Sequence, residues 1–244
     1  MTAPARSNAT PGAWRQGTRC ALGAAALALT CAAHAQFAGT LALSSTSRYR
    51  GMGTGDVGPV LRASVLADLP LGVYGGVSGL WRTRDAGLGS AEAMLGWSGR
   101  LDALPPDWGW DAALHRAHYT AAGDKAFTEA MLGLLGPDFT LRTWFAPHYF
   151  GRYTRTFYTE LNASHALDPR WRVFGHVGWL HYGPAVDYQE RTPDRTDTLV
   201  GVGATLSRWD VQLARDGIVA GHARSELEAR ARRAAWILSA SVAF

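Results

Sequence analysis

The sequence predicts an all-β protein: a transmembrane, antiparallel up-and-down β-barrel of about twelve strands that follows a cleaved signal peptide. Three observations carry that prediction. Apolar residues alternate with period two along almost the whole chain after residue 36, where helical periodicity is scarce. The connections between alternating segments switch between tight turns and longer loops, as outer-membrane barrels do. The chain then ends Ala234-Ala235-Trp236-Ile237-Leu238-Ser239-Ala240-Ser241-Val242-Ala243-Phe244, an apolar alternating strand closed by an aromatic.

The first 35 residues have the layout of a secretory signal. Arg15 and Arg19 precede an apolar run over 20–33, and Ala33-His34-Ala35 puts small residues three and one positions before a cut ahead of Gln36. That run is too short to remain as a spanning helix. The expected organisation is therefore 1–35 signal peptide and 36–244 barrel. Taking 35 residues from 244 leaves 209, and losing Arg6, Arg15 and Arg19 lowers the basic count from 24 to 21 against 20 acids. Cys20 and Cys31 leave with the signal, so a mature chain forms no disulfide and no thiolate metal site. Thr30 stands before Cys31 where a lipid-anchored cysteine wants Gly or Ala. A nearly neutral, exported chain is not a nucleic-acid binder. No apolar run approaches the roughly 18 residues of a membrane helix.

The strands follow in order. Over 37–49, Phe37, Leu41 and Leu43 alternate with Thr40, Ser44, Thr46 and Arg48. Over 60–69, Leu61, Ala63, Val65 and Ala67 oppose Arg62, Ser64 and Asp68, and Pro70-Leu71-Gly72 turns the chain into 73–81. Over 91–99, Ala93, Leu95 and Trp97 oppose Glu92 and Ser98; over 108–118, Trp108, Trp110, Ala112 and Leu114 oppose Asp111 and His115. Ala130, Leu132 and Leu134 oppose Glu129 in 127–135, and Phe139, Leu141 and Phe145 oppose Arg142 and His148 in 139–148. Phe157, Leu161 and Ala163 oppose Glu160 and Asn162 in 157–165, and Trp171, Val173, Val177 and Trp179 oppose Arg172 and His176 in 171–181. Segments 198–206, 209–215 and 234–244 complete the set.

Alternation alone also fits a soluble sandwich, so the choice rests on the ends of the strands. Pro70-Leu71, Gly136-Pro137-Asp138, 166–170 and Ser207-Arg208 are tight, whereas 182–197 and 216–233 are long; only 100–107, with Pro105 and Pro106, exceeds its short class. Trp81, Trp97, Trp108, Trp171, Trp179, Trp209 and Trp236 stand near strand ends on the apolar face, where interfacial girdles lie. Trp236 and the terminal Phe244 have the form of the insertion signal that outer-membrane proteins present to the barrel assembly machinery. The competing reading, an edge strand of a sandwich, would normally be blunted by charge. An even strand count brings both termini to the short-turn side and closes the sheet without edges.

Several segments also resemble a known family. Ser45-Thr46-Ser47-Arg48-Tyr49-Arg50-Gly51-Met52 is similar to the first-strand signature of the TorF family of proteobacterial outer-membrane porins. Gly72-Val73-Tyr74-Gly75-Gly76, 92–96, Asp111 ahead of His118-Tyr119-Thr120, Pro147-His148-Tyr149-Phe150-Gly151 and Phe157-Tyr158 are similar in the same order, across nearly all of 36–244. The resemblance implies a small barrel with channel function in the cell outer membrane.

Twelve strands about 4.8 Å apart and tilted about 40° give a backbone diameter of about 24 Å and a lumen on the order of 12 Å. The inward face is predicted to carry Arg48, Arg62, Arg82, Arg142 and Arg172 against Glu92, Asp111, Glu129, Glu160 and Asp210. A basic residue at the lipid midplane would cost about 2–4 kcal/mol, which supports that phase. Two readings follow: opposed charges set a field across a water-filled pore, or they pair and fill a narrow barrel. A lipid-acting enzyme needs a nucleophile, a His and an orienting partner together. His115, His118, His148, His165, His176, His181 and His222 are scattered, and none has a serine in a recognisable arrangement. No enzyme activity, cofactor or metal is expected. His115 and His118 point to opposite faces. Gly51-Met52-Gly53-Thr54-Gly55 lacks the following helix of a phosphate loop and reads as a flexible extracellular loop. In 222–233, Ser225 with Glu228 matches a capping box, while Leu227, Ala229 and Ala231 alternate as a strand would. Its arginines are candidates to meet lipopolysaccharide phosphates. The expected partners are outer-membrane lipids, lipopolysaccharide and the assembly machinery; the oligomeric state is not legible.

Overall fold

A strand with one apolar and one polar face needs two different surroundings, and a sheet without edges provides them. The computed structural model describes residues 36–53, 58–120, 123–151, 154–183, 194–220 and 232–244. Its strands are β1 Gln36–Ser44, β2 Arg48–Tyr49, β3 Met52–Gly53, β4 Val60–Asp68, β5 Val73–Arg82, β6 Leu88–Arg100, β7 Gly109–Tyr119, β8 Lys125–Leu135, β9 Phe139–Ala146, β10 Thr156–Ala166, β11 Trp171–Tyr182, β12 Arg195–Leu206, β13 Trp209–Ala220 and β14 Trp236–Ala243. Twelve of them, β1 and β4 to β14, form one closed antiparallel barrel in sequence order. β1 closes it, pairing with β4 on one side (Gln36 opposite Asp68) and β14 on the other (Thr40 opposite Ala243).

The closing seam is sealed by the last residue. The Phe244 amide and carbonyl bond those of Gly39 at 3.0 and 2.8 Å. Its ring lies where a side chain on Gly39 would be: a Cβ there would sit 2.4 Å from Cε2. Glycine supplies the space and the aromatic covers the exposed backbone.

Leu41, Leu43, Val65, Val77, Leu95, Leu114, Leu132, Val200 and Leu238 face outward and are exposed in the isolated chain. Trp81, Trp97, Trp171, Trp179, Trp209 and Trp236 share that face. Trp97 Nε1–H donates to the Leu71 carbonyl at 2.7 Å, tying the girdle to a turn. The short-turn end holds 69–72, 101–108, 136–138, 167–170 and 207–208, and the 101–108 connection is folded on its own bonds from Leu104 N to Leu101 O and from Trp108 N to Pro105 O. Register shifts interrupt the ladder between Leu80 and Trp81 and between Thr196 and Asp197, both near the long-loop end.

Several boundaries differ from the sequence expectation, β13 for example running to Ala220 and not 215, and one of the differences shapes the interior. The strand predicted over 37–49 stops at Ser44, and Arg48 stands on the small β2–β3 hairpin instead of the wall. Arg50 (φ 49°) and Gly51 (φ 72°) make that hairpin's turn. The expectation of a flexible extracellular loop at 51–55 is likewise corrected for Gly51 to Gly53, which lie inside the barrel; Thr54 and Gly55 lie outside the described residues, as do the signal peptide, His222 and segment 222–231.

Candidate functional site

The inward face carries charged side chains that lie along the wall instead of reaching across it. Arg62 on β4 contacts Glu92 on β6 at 3.3 Å, with Ser78 of the intervening β5 bonding both. Arg142 on β9 donates to Asp111 on β7 at 2.9 Å, and the strand between them contributes Gly133, opposite both. Arg172 on β11 grips Asp210 on β13 at 2.5 and 2.8 Å, over Gly203 of β12. In each case a small residue in the middle strand lets the ion pair bridge two strands. A Cβ on Gly133 would come 1.9 Å from Asp111 Oδ1, and one on Gly203 would come 2.7 Å from Arg172 Cζ. Arginine paired bidentately with a carboxylate is the strong form of this contact.

The hairpin does the opposite and crosses the lumen. From it Arg48 reaches Asp216 on β13 at 3.1 Å, and Arg50 reaches Glu129 on β8 at 2.8 Å. β8 and β13 stand five strands apart in a ring of twelve, so the hairpin is held to nearly opposite walls. Arg195 on β12 adds a contact to the Met52 sulfur. A Cβ on Gly51 would come 2.5 Å from Asp197 Cβ, so only glycine lets the turn approach that wall.

Arg50 is enclosed. Its guanidinium carbon lies 4.8, 5.4 and 4.2 Å from the ring centres of Tyr49, Tyr149 and Tyr158, and its side chain is 5 % exposed. Cation–π attraction of this kind strengthens when water is excluded. Tyr149, in the connection after β9, has its phenol pushed up to about 12 by burial and so stays neutral beside the arginine. Tyr49 Oη adds a bond to Glu129 at 3.3 Å. Around the cage, Ala117, Tyr119, Phe127, Ala146 and Leu180 form a buried cluster with Tyr149 and Tyr158.

Toward the short-turn end the interior opens into a cavity of about 830 Å³. It runs from the 136–138 turn to Arg48, Arg50 and Gly51 of the hairpin. On its wall His176 lies 2.9 Å from Asp197, 3.0 Å from Tyr158 Oη and 2.8 Å from Asn162. Trp144 Nε1–H donates to Glu160 at 3.2 Å.

No family model matches this sequence, and no curated protein matches it by sequence. Solved structures do match. The KdgM porin aligns at TM-score 0.52 with 8% identity, over 85% of this chain and 99% of that one. The NanC porin aligns at 0.53 with 9% identity, over 86% and 99%. The likeness is one of fold.

The ten charged residues singled out from the sequence fall into three groups. Arg62, Glu92, Asp111, Glu129, Arg142, Glu160, Arg172 and Asp210 point inward from wall strands; Arg48 points inward from the hairpin; Arg82, at the mouth, turns to Asp85 in the next loop at 3.0 Å. The structure joins Arg62 to Glu92, Arg142 to Asp111 and Arg172 to Asp210, and leaves Glu160 with Trp144 and His176. Trp236 lies outward near the start of β14, and Phe244 closes the seam. Sequence reasoning missed Arg50, Tyr158 and Asp197. The polar run Ser44-Ser45-Thr46-Ser47 followed by Gly51-Met52-Gly53 is turn text and was the available signal for a hairpin. Among the histidines, His115 faces inward between Glu92 (3.7 Å) and Glu129 (3.9 Å), while His118 turns to Asp124 at 2.6 Å. His165 pairs with Asp138 and His181 with Asp194.

Proposed function

We propose that this protein is an outer-membrane, porin-like channel through which small hydrophilic solutes or ions diffuse passively, without catalysis. One observation carries the reading: the barrel is inverted, with aliphatic side chains outward and charged ones inward around a cavity of about 830 Å³. In water an apolar belt of this size would drive aggregation; against lipid it is the stable arrangement. The fold shared with two porins supports the same reading, and so do the segments that resemble the TorF family. On this reading the chain is exported by the 1–35 signal, is recognised for assembly through Trp236 and Phe244, and meets outer-membrane lipid and lipopolysaccharide with its tryptophan girdles.

The test is conductance of refolded protein in planar lipid bilayers. Discrete channel steps are expected; a bilayer silent over a wide voltage range, both with wild type and with a chain whose residues 46–53 are replaced by a short Gly-Ser turn, overturns the proposal. A second reading, a filled structural barrel, is favoured by the ion pairs along the wall and by the hairpin in the long-loop half. The same recordings separate the two.

A further inference from the structure

We propose that the hairpin 46–53 is a gate, latched across the lumen by Arg50 in its tyrosine and glutamate cage and by Arg48 on Asp216. This inference rests on the channel reading above.

Three features of the hairpin set it apart from the wall. First, it belongs to a connection, not to the barrel. β1 ends at Ser44, β4 begins at Val60, and the β1–β4 ladder runs unbroken from Gln36–Asp68 to Ser44–Val60 without it. The barrel therefore closes whether the hairpin lies inside or outside. Second, the hairpin lies in the path. It bounds the cavity on the side away from the short turns, and its two arginines reach walls five strands apart. Third, it is held by a few groups in concentrated positions. Among the described residues its own pairing comprises Arg48 with Gly53 and Tyr49 with Met52. What fixes it is Arg50 Nη2 against both Glu129 oxygens at 2.8 and 2.9 Å, three aromatic faces around the guanidinium, the Tyr49 ring against Tyr119, Phe127 and Phe150, the Arg195–Met52 contact, and Arg48 on Asp216 and on the Arg233 carbonyl.

On this proposal the segment, held by desolvated charge pairs and by the Tyr49 ring in the aromatic cluster, has two discrete arrangements. With both latches made, each arginine lies against a carboxylate inside; with both broken, the charges meet water at the long-loop end. An intermediate with one buried charge unpaired is disfavoured, because an orphaned charge in a dry site is costly. The wall pairs carry no such switch. Arg62–Glu92, Arg142–Asp111 and Arg172–Asp210 join strands that the barrel ladder already fixes, so breaking them moves only side chains.

The test compares wild type with Glu129→Gln, with Arg50→Ala, with the exchanged pair Arg50→Glu/Glu129→Arg, and with a chain in which residues 46–53 are replaced by a short Gly-Ser turn. Each is refolded, checked for a folded barrel by heat-modifiable migration, and recorded in planar bilayers. Wild type is expected to dwell in a closed or low-conductance level. Glu129→Gln and Arg50→Ala raise the ratio of open to closed dwell by about tenfold or more, in line with loss of one member of a buried pair. The shortened chain stays open, and the exchanged pair returns part of the closed dwell. If wild type conducts at the level of the shortened chain and Glu129→Gln changes nothing, the gate is overturned and the channel reading stands. If even the shortened chain is folded and silent, the channel reading fails and takes the gate with it.

Discussion

The two halves of the lumen share one set of strands and are built as different materials. At the long-loop end the inward positions are packed like the core of a soluble protein: Phe127 is 2 % exposed, Tyr158 2 % and Leu180 0 %. Toward the short turns the same strands turn polar or small inward side chains, such as Asn162, Ser164 and Thr140, to a cavity. The strand pairing is continuous through both, so the backbone does not make the difference. It comes from side chains: Tyr119, Phe127, Tyr158 and Leu180 of the strands meet the aromatic and cationic groups that the hairpin and the Tyr149–Phe150 turn bring into that half. Close packing and open space are thus assigned to separate halves of one barrel.

The largest expected effect tests that assignment directly. Phe127→Ala removes the ring that packs between Tyr119 at 6.0 Å, Tyr149 at 5.1 Å and Phe150 at 4.7 Å. Emptying so enclosed a site costs about 3–5 kcal/mol. Thr140→Ala, at the cavity, changes stability by within about 0.5 kcal/mol, as at other sites away from packed features. Urea titration of the barrel in lipid vesicles, followed by tryptophan emission, measures both. Equal effects at the two positions would erase the distinction between the halves.

A smaller effect sharpens it within one strand. On β11, Gly178 faces inward and Tyr158 lies over it; a Cβ there would come 2.1 Å from the phenol oxygen. Gly178→Ala therefore displaces Tyr158 from Asp197 and from the face of Arg50, at a cost of about 1–3 kcal/mol for overpacking. Gly175, on the outward face, would place a Cβ at ordinary van der Waals distance, 3.6 Å from the Leu199 carbonyl oxygen. Gly175→Ala is expected to be neutral in the same titration. If the hairpin is the proposed gate, Gly178→Ala also raises the open dwell, because it loosens the cage.

How much of this was legible before the fold was known follows the same division. The wall was legible because a strand between lipid and lumen repeats its contrast at every second residue, and a slip of one residue would reverse every side chain. Leu95 beside Glu92, or Val177 beside His176, declares its face locally. The wall pairs were only half legible. Arg142 and Asp111 were placed on the inward face, but their meeting depends on Gly133 lying opposite both, a matter of register. The hairpin was illegible as a plug, since Arg50 finds Glu129 79 positions later and Tyr149 and Tyr158 later still. Nothing within a local window distinguishes an arginine that enters a cage from one that meets water.

The smallest effect is expected where the chemistry of the Arg50 latch recurs without its burial. At the rim, Arg82 Nε–H donates to Asp85 at 3.0 Å and the Gly87 amide donates to the same oxygen at 3.0 Å. Those two donors hold the Asp85 carboxyl below the ordinary aspartate value, the arginine contributing most. A carboxyl whose folded value is lowered stabilises the turn above its unfolded value, and that contribution disappears as pH falls through the folded one. Because the pair is open to solvent, its worth is small and screened by salt. Arg82→Ala should therefore leave unfolding at neutral pH unchanged, while the Asp85 carboxyl, followed by carbon chemical shift, titrates closer to its ordinary value. If Arg82→Ala destabilised the barrel as much as Phe127→Ala, the rim would be part of the packed half, and the boundary between the two halves would have to move outward.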